Sequence, residues 1–314
     1  MPATKHTHIS LLGVPVEEGA GRRGCTMGPA SFRTAGIIEE LQELGIEVND
    51  LGDLTPEKAT DAKSSHSHLK NLPEVAGWTR SLYQRAYELA NENTVPVYLG
   101  GDHSLSLGSV AGTAKAAQEA GRPLFVLWLD AHADFNTFAT TESGNLHGTP
   151  LAFACGQPGF ESLLGESLST CVDPRNVCIF GLRSVDKRER ELVVSQGVEV
   201  CDMRAIDENG VSTLISAFLK RVEAANGLLH VSLDVDFIEP EIAPAVGTTV
   251  PGGATFREAH LVMEMLHDSG LLSSLDLVEL NPFLDDRGRT ARLMVDLTAS
   301  LFGRRVMDRK TWSF

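Results

Sequence analysis

The stretch Leu124-Phe-Val-Leu-Trp-Leu129, followed at once by Asp130-Ala-His132-Ala-Asp134, decides how this chain reads. Six consecutive apolar residues predict a strand covered on both faces, the pattern of a parallel sheet between two helix layers. Beyond Leu129 the composition switches to carboxylates and an imidazole at every second position. Side chains at i, i+2 and i+4 of an extended segment share one face. Asp130, His132 and Asp134 are therefore expected as a row at the carboxyl end of a strand, where open α/β sheets place their active sites.

The same construction recurs on either side. His230-Val-Ser-Leu-Asp234-Val-Asp236 sets two more carboxylates at the end of an apolar strand. Val95–Leu99 runs into Gly100-Gly101-Asp102-His103-Ser104, where the two glycines are expected to let the backbone turn sharply and His103 is the expected ligand. Further strands are expected at His8–Val14, Asn176–Gly181, Gly197–Cys201 and Leu275–Leu280. Helical spacing marks Ala30–Leu44, Leu105–Ala120, Val185–Ser195, Val211–Ala225, Phe256–His267 and Thr290–Phe302. Leu54–Leu72 and Phe135–Thr149 read as loops. Strand–helix alternation of this kind predicts an α/β fold, a parallel sheet flanked by helices, with no linker to divide residues 1–314 into more than one domain.

Four carboxylates gathered without Lys or Arg among them would repel one another, and two divalent cations offset that charge. A donor set rich in oxygen, with two imidazoles and no thiolate, disfavours structural zinc. It suits Mn²⁺ and admits Fe²⁺, Co²⁺ or Ni²⁺. Water held between two such ions becomes a hydroxide nucleophile near neutral pH. The chain thus reads as a metal-dependent hydrolase.

Composition narrows the partners. A formal net charge of −15 disfavours nucleic acid and anionic membrane surfaces. Five cysteines, an odd number without a CxxC, suit reduced thiols in a cytoplasmic protein. Met1–Ser10 holds Lys5, His6 and His8 but no apolar core, so no signal peptide is expected.

Together these motifs resemble the ureohydrolase (arginase–agmatinase) family, and within it bacterial arginases most. The resemblance runs from Leu11-Leu-Gly-Val-Pro and Gly28-Pro29, through the three metal motifs, to Glu279-Leu-Asn-Pro. It implies a three-layer α/β/α fold with a central parallel sheet of about eight strands, two Mn²⁺ per subunit and a homo-oligomer, trimer or hexamer. It also implies that His103, Asp130, Asp134 and Asp234 hold one ion and Asp130, His132, Asp234 and Asp236 the other. Glu279 would pair with a substrate guanidinium, His147 would transfer a proton, and Thr248 would lie near the guanidinium. The expected reaction is hydrolysis of L-arginine to L-ornithine and urea.

The loop Asn136-Thr-Phe-Ala-Thr-Thr141-Glu-Ser143-Gly-Asn145 resembles the arginase loop in which Asn136, Thr141, Ser143 and Asn145 would contact an α-carboxylate. Uncharged donors suit that task because they do not repel the neighbouring ammonium. Asp186 would accept from the α-ammonium, with Glu189 assisting. The chain departs from the animal-type pattern at Ser184 and from the commoner family residue at Glu239. Ser184 keeps open a related ureohydrolase acting on another guanidino amino acid such as N-hydroxyarginine; agmatine or guanidinobutyrate fits less well. Gly19-Ala-Gly21-Arg-Arg-Gly24 matches a dinucleotide-type glycine pattern but neither follows its strand directly nor opens its helix. His66, His68, His230 and His260 are expected outside the chemistry.

Overall fold

In the computed structural model, which describes residues 8–166 and 168–306, the apolar stretch is a strand buried along its whole length. Lys5, His6 and the tail beyond residue 306 lie outside the described residues. Among the described residues, eight strands form one sheet: β1 (His8–Val14), β2 (Glu47–Asp53), β3 (Val95–Gly100), β4 (Leu124–Leu129), β5 (Val177–Leu182), β6 (Glu199–Asp202), β7 (Leu228–Asp234) and β8 (Leu272–Val278). Their order is β2-β1-β3-β8-β7-β4-β5-β6, and every pairing is parallel.

Alternation along β4 feeds the two larger apolar clusters. Phe125, Leu127 and Leu129 enter one apolar cluster, and Leu124, Val126 and Trp128 the other. The first cluster is closed by α1 (Gly28–Thr34), α2 (Ile37–Glu43), α8 (Met203–Asn209), α9 (Val211–Ala224), α10 (Phe256–Ser269) and α11 (Arg289–Leu301). The second is closed by α3 (Leu72–Ala90), α4 (Ser106–Glu119), α5 (Pro150–Ala154), α6 (Glu161–Leu164) and α7 (Lys187–Gln196). The three layers expected are present.

The strand order explains how motifs far apart in sequence meet. β3 and β4 are separated by two strands, and β8 and β7 fill that gap. The four strand ends that carry His103, Glu279, Asp234 and Asp130 are therefore neighbours in the centre of the sheet.

The structure differs from the sequence-based expectation in several elements. The single helix expected over Ala30–Leu44 is two, because Gly36 takes a left-handed conformation with φ 90°. β2 was not expected: Glu47-Val-Asn-Asp-Leu-Gly-Asp is a polar edge strand with no buried face to set an alternation. α3 was also missed, although Val75, Thr79, Leu82, Ala86 and Leu89 recur at helical spacing on its buried side. Gly100 and Gly101 are not in the left-handed region. Their role is close approach: a Cβ at Gly101 would lie 2.4 Å from the Val16 carbonyl oxygen, and one at Gly100 2.6 Å from that of Leu277.

His230 links β7 to β8. Its Nδ1 lies 2.7 Å from the Ser274 hydroxyl and its Nε2 3.2 Å from Asp276, which also accepts from Ser106 and Ser109.

Candidate active site

Three carboxylates converge on one ring nitrogen. His103 Nδ1 lies 3.1 Å from Asp130 Oδ2, 3.1 Å from Asp134 Oδ2 and 3.0 Å from Asp234 Oδ2. The ring is fixed from behind: Nε2 meets the Ser232 hydroxyl at 2.8 Å, and the imidazole stacks on Trp128 at 4.1 Å with 2° between planes. A second cluster abuts the first. His132 Nδ1 lies 3.0 Å from Asp236 Oδ2 and 3.4 Å from Asp130 Oδ1. Asp130 is common to both.

The expected row of side chains is not how this is achieved. β4 ends at Leu129, and Asp134 takes a left-handed conformation with φ 46°. Its carboxylate is thereby turned back toward His103 instead of continuing an extended face. Glu279 is likewise left-handed, with φ 64°. Conformations uncommon for residues with a Cβ persist where surrounding structure over-determines them, and they gather at functional sites.

The donors fit a pair of cations. His103 Nδ1 and Asp130 Oδ2 are both buried polar atoms without a hydrogen bond. Buried polar atoms are rarely left so, and a shared set of oxygens and imidazole nitrogens is what a cation completes. Without one, burial and the neighbouring Asp130 charge push Asp236 up to about 6, and burial together with Asp236 and Asp130 raises Asp234 as well. Positive charge held between these groups would remove that penalty.

Beside the clusters, Glu279 Oε1 accepts from the His103 backbone amide at 2.9 Å and lies 2.8 Å from His147 Nδ1. Oε2 meets the Cys25 thiol at 3.8 Å. Burial opposes ionisation of Glu279, but His147 and the His103 amide outweigh it and keep it below the usual carboxylate range. Burial also disfavours the His147 imidazolium, yet Glu279, with Asp102 and Asp134 behind it, pushes His147 up to about 9. Cations at the neighbouring clusters would counter part of that pull. The backbone amide of His147 donates to Gly19 O at 3.1 Å, and Asp102 accepts from the Ala20 amide at 2.9 Å. The glycine-rich stretch 19–24 thus wraps the site and positions His147, a function its motif did not signal.

A cavity of about 290 Å³ opens above these groups. Asn136, Thr141, Ser143, Ser184, Asp186, Glu189 and Thr248 line it together with His103, His132, Asp134, Asp234, His147 and Glu279. Asn145 is placed differently from expectation: its side chain accepts from Lys70 Nζ at 3.0 Å and lines an adjoining cavity with Arg22 and Cys25. Glu189 is buried; it accepts from the Phe135 amide at 2.8 Å and from the Asp186 amide at 3.3 Å, and burial pushes it up to about 7. It therefore ties the Asp134 turn to the start of α7, where Asp186 sits at the N-cap.

Two residues hold the remaining wall. Thr248 Oγ1 donates to Asp236 Oδ2 at 3.1 Å. The loop around it is clamped from both sides. Arg183 donates from Nε and Nη2 to Val250 O at 3.0 and 2.8 Å, and from Nη2 to Asp236 O at 2.5 Å. Glu239 Oε2 accepts from the Gly252 and Gly253 amides at 2.7 and 2.8 Å. This accounts for Glu239, and neither clamp residue was singled out for such a role by its pattern in the sequence.

The model of a family described as the Arginase family matches residues 7–303. A protein named arginase from Agrobacterium fabrum is 60% identical over 304 residues, 97% of this chain and 93% of that protein. One of the same name from Brucella melitensis is 59% identical over 98% of this chain and all of its own length. The crystal structure of arginase from Bacillus subtilis superposes with a TM-score of 0.86 at 40% identity, covering 96% of this chain and 100% of that one.

Proposed function

The chain belongs to the arginase family, and from that premise we propose that it is a dinuclear, Mn²⁺-dependent arginase that hydrolyses L-arginine to L-ornithine and urea. The observation that carries the reading is the convergence of Asp130, Asp134 and Asp234 on His103 Nδ1 beside the ionised Glu279, in one cavity.

A guanidinium is resonance-stabilised and a poor electrophile, so it must be oriented beside a strong nucleophile. His103, Asp130, Asp134 and Asp234 would hold one cation, and Asp130, His132, Asp234 and Asp236 the other. When bound, the pair lowers the pKa of a water so that it is nucleophilic at neutral pH. Glu279 Oε1 is committed to His103 and His147, while Oε2, which accepts a long contact from the Cys25 thiol, would face the guanidinium. Hydrolysis adds water to the guanidinium carbon and breaks its bond to the ornithine nitrogen. The departing amine takes up a proton, and His147 would give it; its contact with Glu279, which raises its pKa, supports that role.

Asn136, Thr141 and Ser143 would bind the α-carboxylate, with Asn145 closing the loop through Lys70. Asp186 would accept from the α-ammonium. Asp186→Asn keeps the N-cap oxygen and removes the charge. Its KM for L-arginine should rise about tenfold or more with kcat little changed, since a hydrogen bond to a charged group is worth about 1.5–3 kcal/mol. A guanidino acid without an α-ammonium should show no such rise; an equal rise for both would place Asp186 elsewhere.

Arg183→Met should leave two cations bound but lower kcat/KM about 10–100-fold, the usual cost of losing a group that orients metal ligands. Amide exchange across residues 247–253 should quicken. Unchanged exchange would show that the loop does not depend on the clamp.

Steady-state urea release from L-arginine, N-hydroxyarginine, agmatine and guanidinobutyrate, with Mn²⁺, Fe²⁺, Co²⁺ and Ni²⁺ in turn, tests substrate and metal together. The highest specificity constant is expected for L-arginine with Mn²⁺. Preference for N-hydroxyarginine would favour the second reading, which rests on Ser184 in the cavity wall. A cytoplasmic homo-oligomer, trimer or hexamer, is part of the proposal. The exposed Phe283 and Leu284 supply apolar surface for it, and sedimentation equilibrium reads the mass.

A further inference from the structure

At the sheet edge, β5 and β6 carry Cys178, Glu199 and Cys201. Cys178 is the register partner of Glu199, and Cys201 follows Glu199 by two positions. The three side chains therefore leave the same face. One ligand atom from each, both sulfurs and a carboxylate oxygen, lies within 4.8 Å of the others. Both thiols are buried and Glu199 is half-exposed. Arg221 of α9 pairs with Glu199 and donates to the Arg175 carbonyl, covering the group.

We propose that Cys178, Cys201 and Glu199 form a second cation site, separate from the dinuclear centre, for a soft four-coordinate divalent ion of the zinc class. Two thiolate ligands of a tetrahedral ion, at bonds of about 2.3 Å, lie about 3.8 Å apart. Ligand atoms that all lie within 4.8 Å of one another admit that spacing. Thiolates select softer ions than the oxygen-rich centre does. The charges also match. Two thiolates and a carboxylate carry three negative charges, and a divalent ion with the Arg221 guanidinium balances them. Arg221 can stay on one carboxylate oxygen while the ion takes the other, and water fills the fourth position.

A disulfide fits the same pair poorly. Cys178 and Cys201 are diagonal neighbours, and lateral spacing of about 4.8 Å with about 6.6 Å along the strand sets their Cα atoms about 8 Å apart. Disulfides rarely span more than about 6.8 Å between Cα atoms. An ion here would tie edge strand β6 to β5, whose end leads into Arg183 and Asp186 at the cavity.

The test uses the reduced, full-length, Mn²⁺-loaded protein titrated with Cd²⁺. The dinuclear centre has no thiolate, so an ultraviolet thiolate-to-cadmium band reports on the cysteines and not on that centre, and the cysteine variants say which thiols carry it. The expected result is a band saturating at one equivalent, with release of the thiol protons and a higher Tm. X-ray absorption of the zinc form should show two sulfurs at about 2.3 Å. Cys178→Ala and Cys201→Ser should each abolish the band while keeping bound Mn²⁺, and Glu199→Gln should weaken binding about tenfold with the band retained. Cys155→Ser and Cys171→Ser, which alter the other neighbouring thiols, should leave it intact. No saturable band, fewer than two sulfurs on zinc, or a band lost in Cys171→Ser but kept in Cys178→Ala would overturn the proposal. None of these readouts depends on which guanidino compound the enzyme hydrolyses.

Discussion

Asp130→Asn is expected to leave a folded protein with fewer than two tightly bound cations and turnover lowered about a thousandfold. Asp130 is where the two clusters meet. Oδ2 faces His103 Nδ1 at 3.1 Å, while Oδ1 faces His132 Nδ1 at 3.4 Å and accepts from the His132 amide at 2.6 Å. An asparagine has one acceptor oxygen. Whichever way its amide turns, an NH2 group points either at the His132 amide donor or into the His103 cluster. The net negative charge that attracts the second cation is lost as well. A cation contributes several kcal/mol of charge stabilisation in the transition state, and about 1.4 kcal/mol is a factor of ten, which gives the thousandfold figure. Metal analysis after gel filtration, circular dichroism and a urea assay check the three parts. Two retained cations with near-full turnover would remove Asp130 from the centre of the site.

Glu279→Gln is expected to separate binding of metal from binding of substrate. The glutamine can still accept from the His103 amide through its oxygen, so both cations should remain. It cannot carry the charge that faces the guanidinium. Removing one partner of a buried, hydrogen-bonded charge pair costs about 2–5 kcal/mol, so kcat/KM should fall about a thousandfold. His147 loses the carboxylate that holds its proton, and kcat should fall along with the rise in KM. Loss of a cation in this variant, with the fold intact, would mean that Glu279 acts on the metal site and not on the substrate.

The central part of the site was legible in the sequence because strand ends concentrate chemistry in short motifs. Asp130, His132, Asp134, Asp234, Asp236 and His103 each stand one to five residues beyond an apolar strand, and the parallel order brings those ends together. What the motifs could not convey is conformation. Asp134 and Glu279 reach the site through left-handed backbone, which no spacing rule encodes. Nor could they show contacts made by residues distant in sequence. Arg183 and Glu239 clamp a loop some dozen to several dozen residues away, and stretch 19–24 holds His147 from more than a hundred residues upstream. The missed strand β2 is polar on both sides, so burial left no periodic trace in it. The missed helix α3 did leave one, in Val75, Leu82, Ala86 and Leu89.

Urea release from L-arginine, followed as the chelated protein is given Mn²⁺ in counted equivalents, decides whether this chain is a two-cation arginase. Negligible release is expected from the metal-free protein, with a rise that reaches its plateau at two bound Mn²⁺ per chain and loss of activity when a chelator is returned. Full activity at zero or one bound ion would contradict it, as would a protein holding two Mn²⁺ that leaves L-arginine untouched.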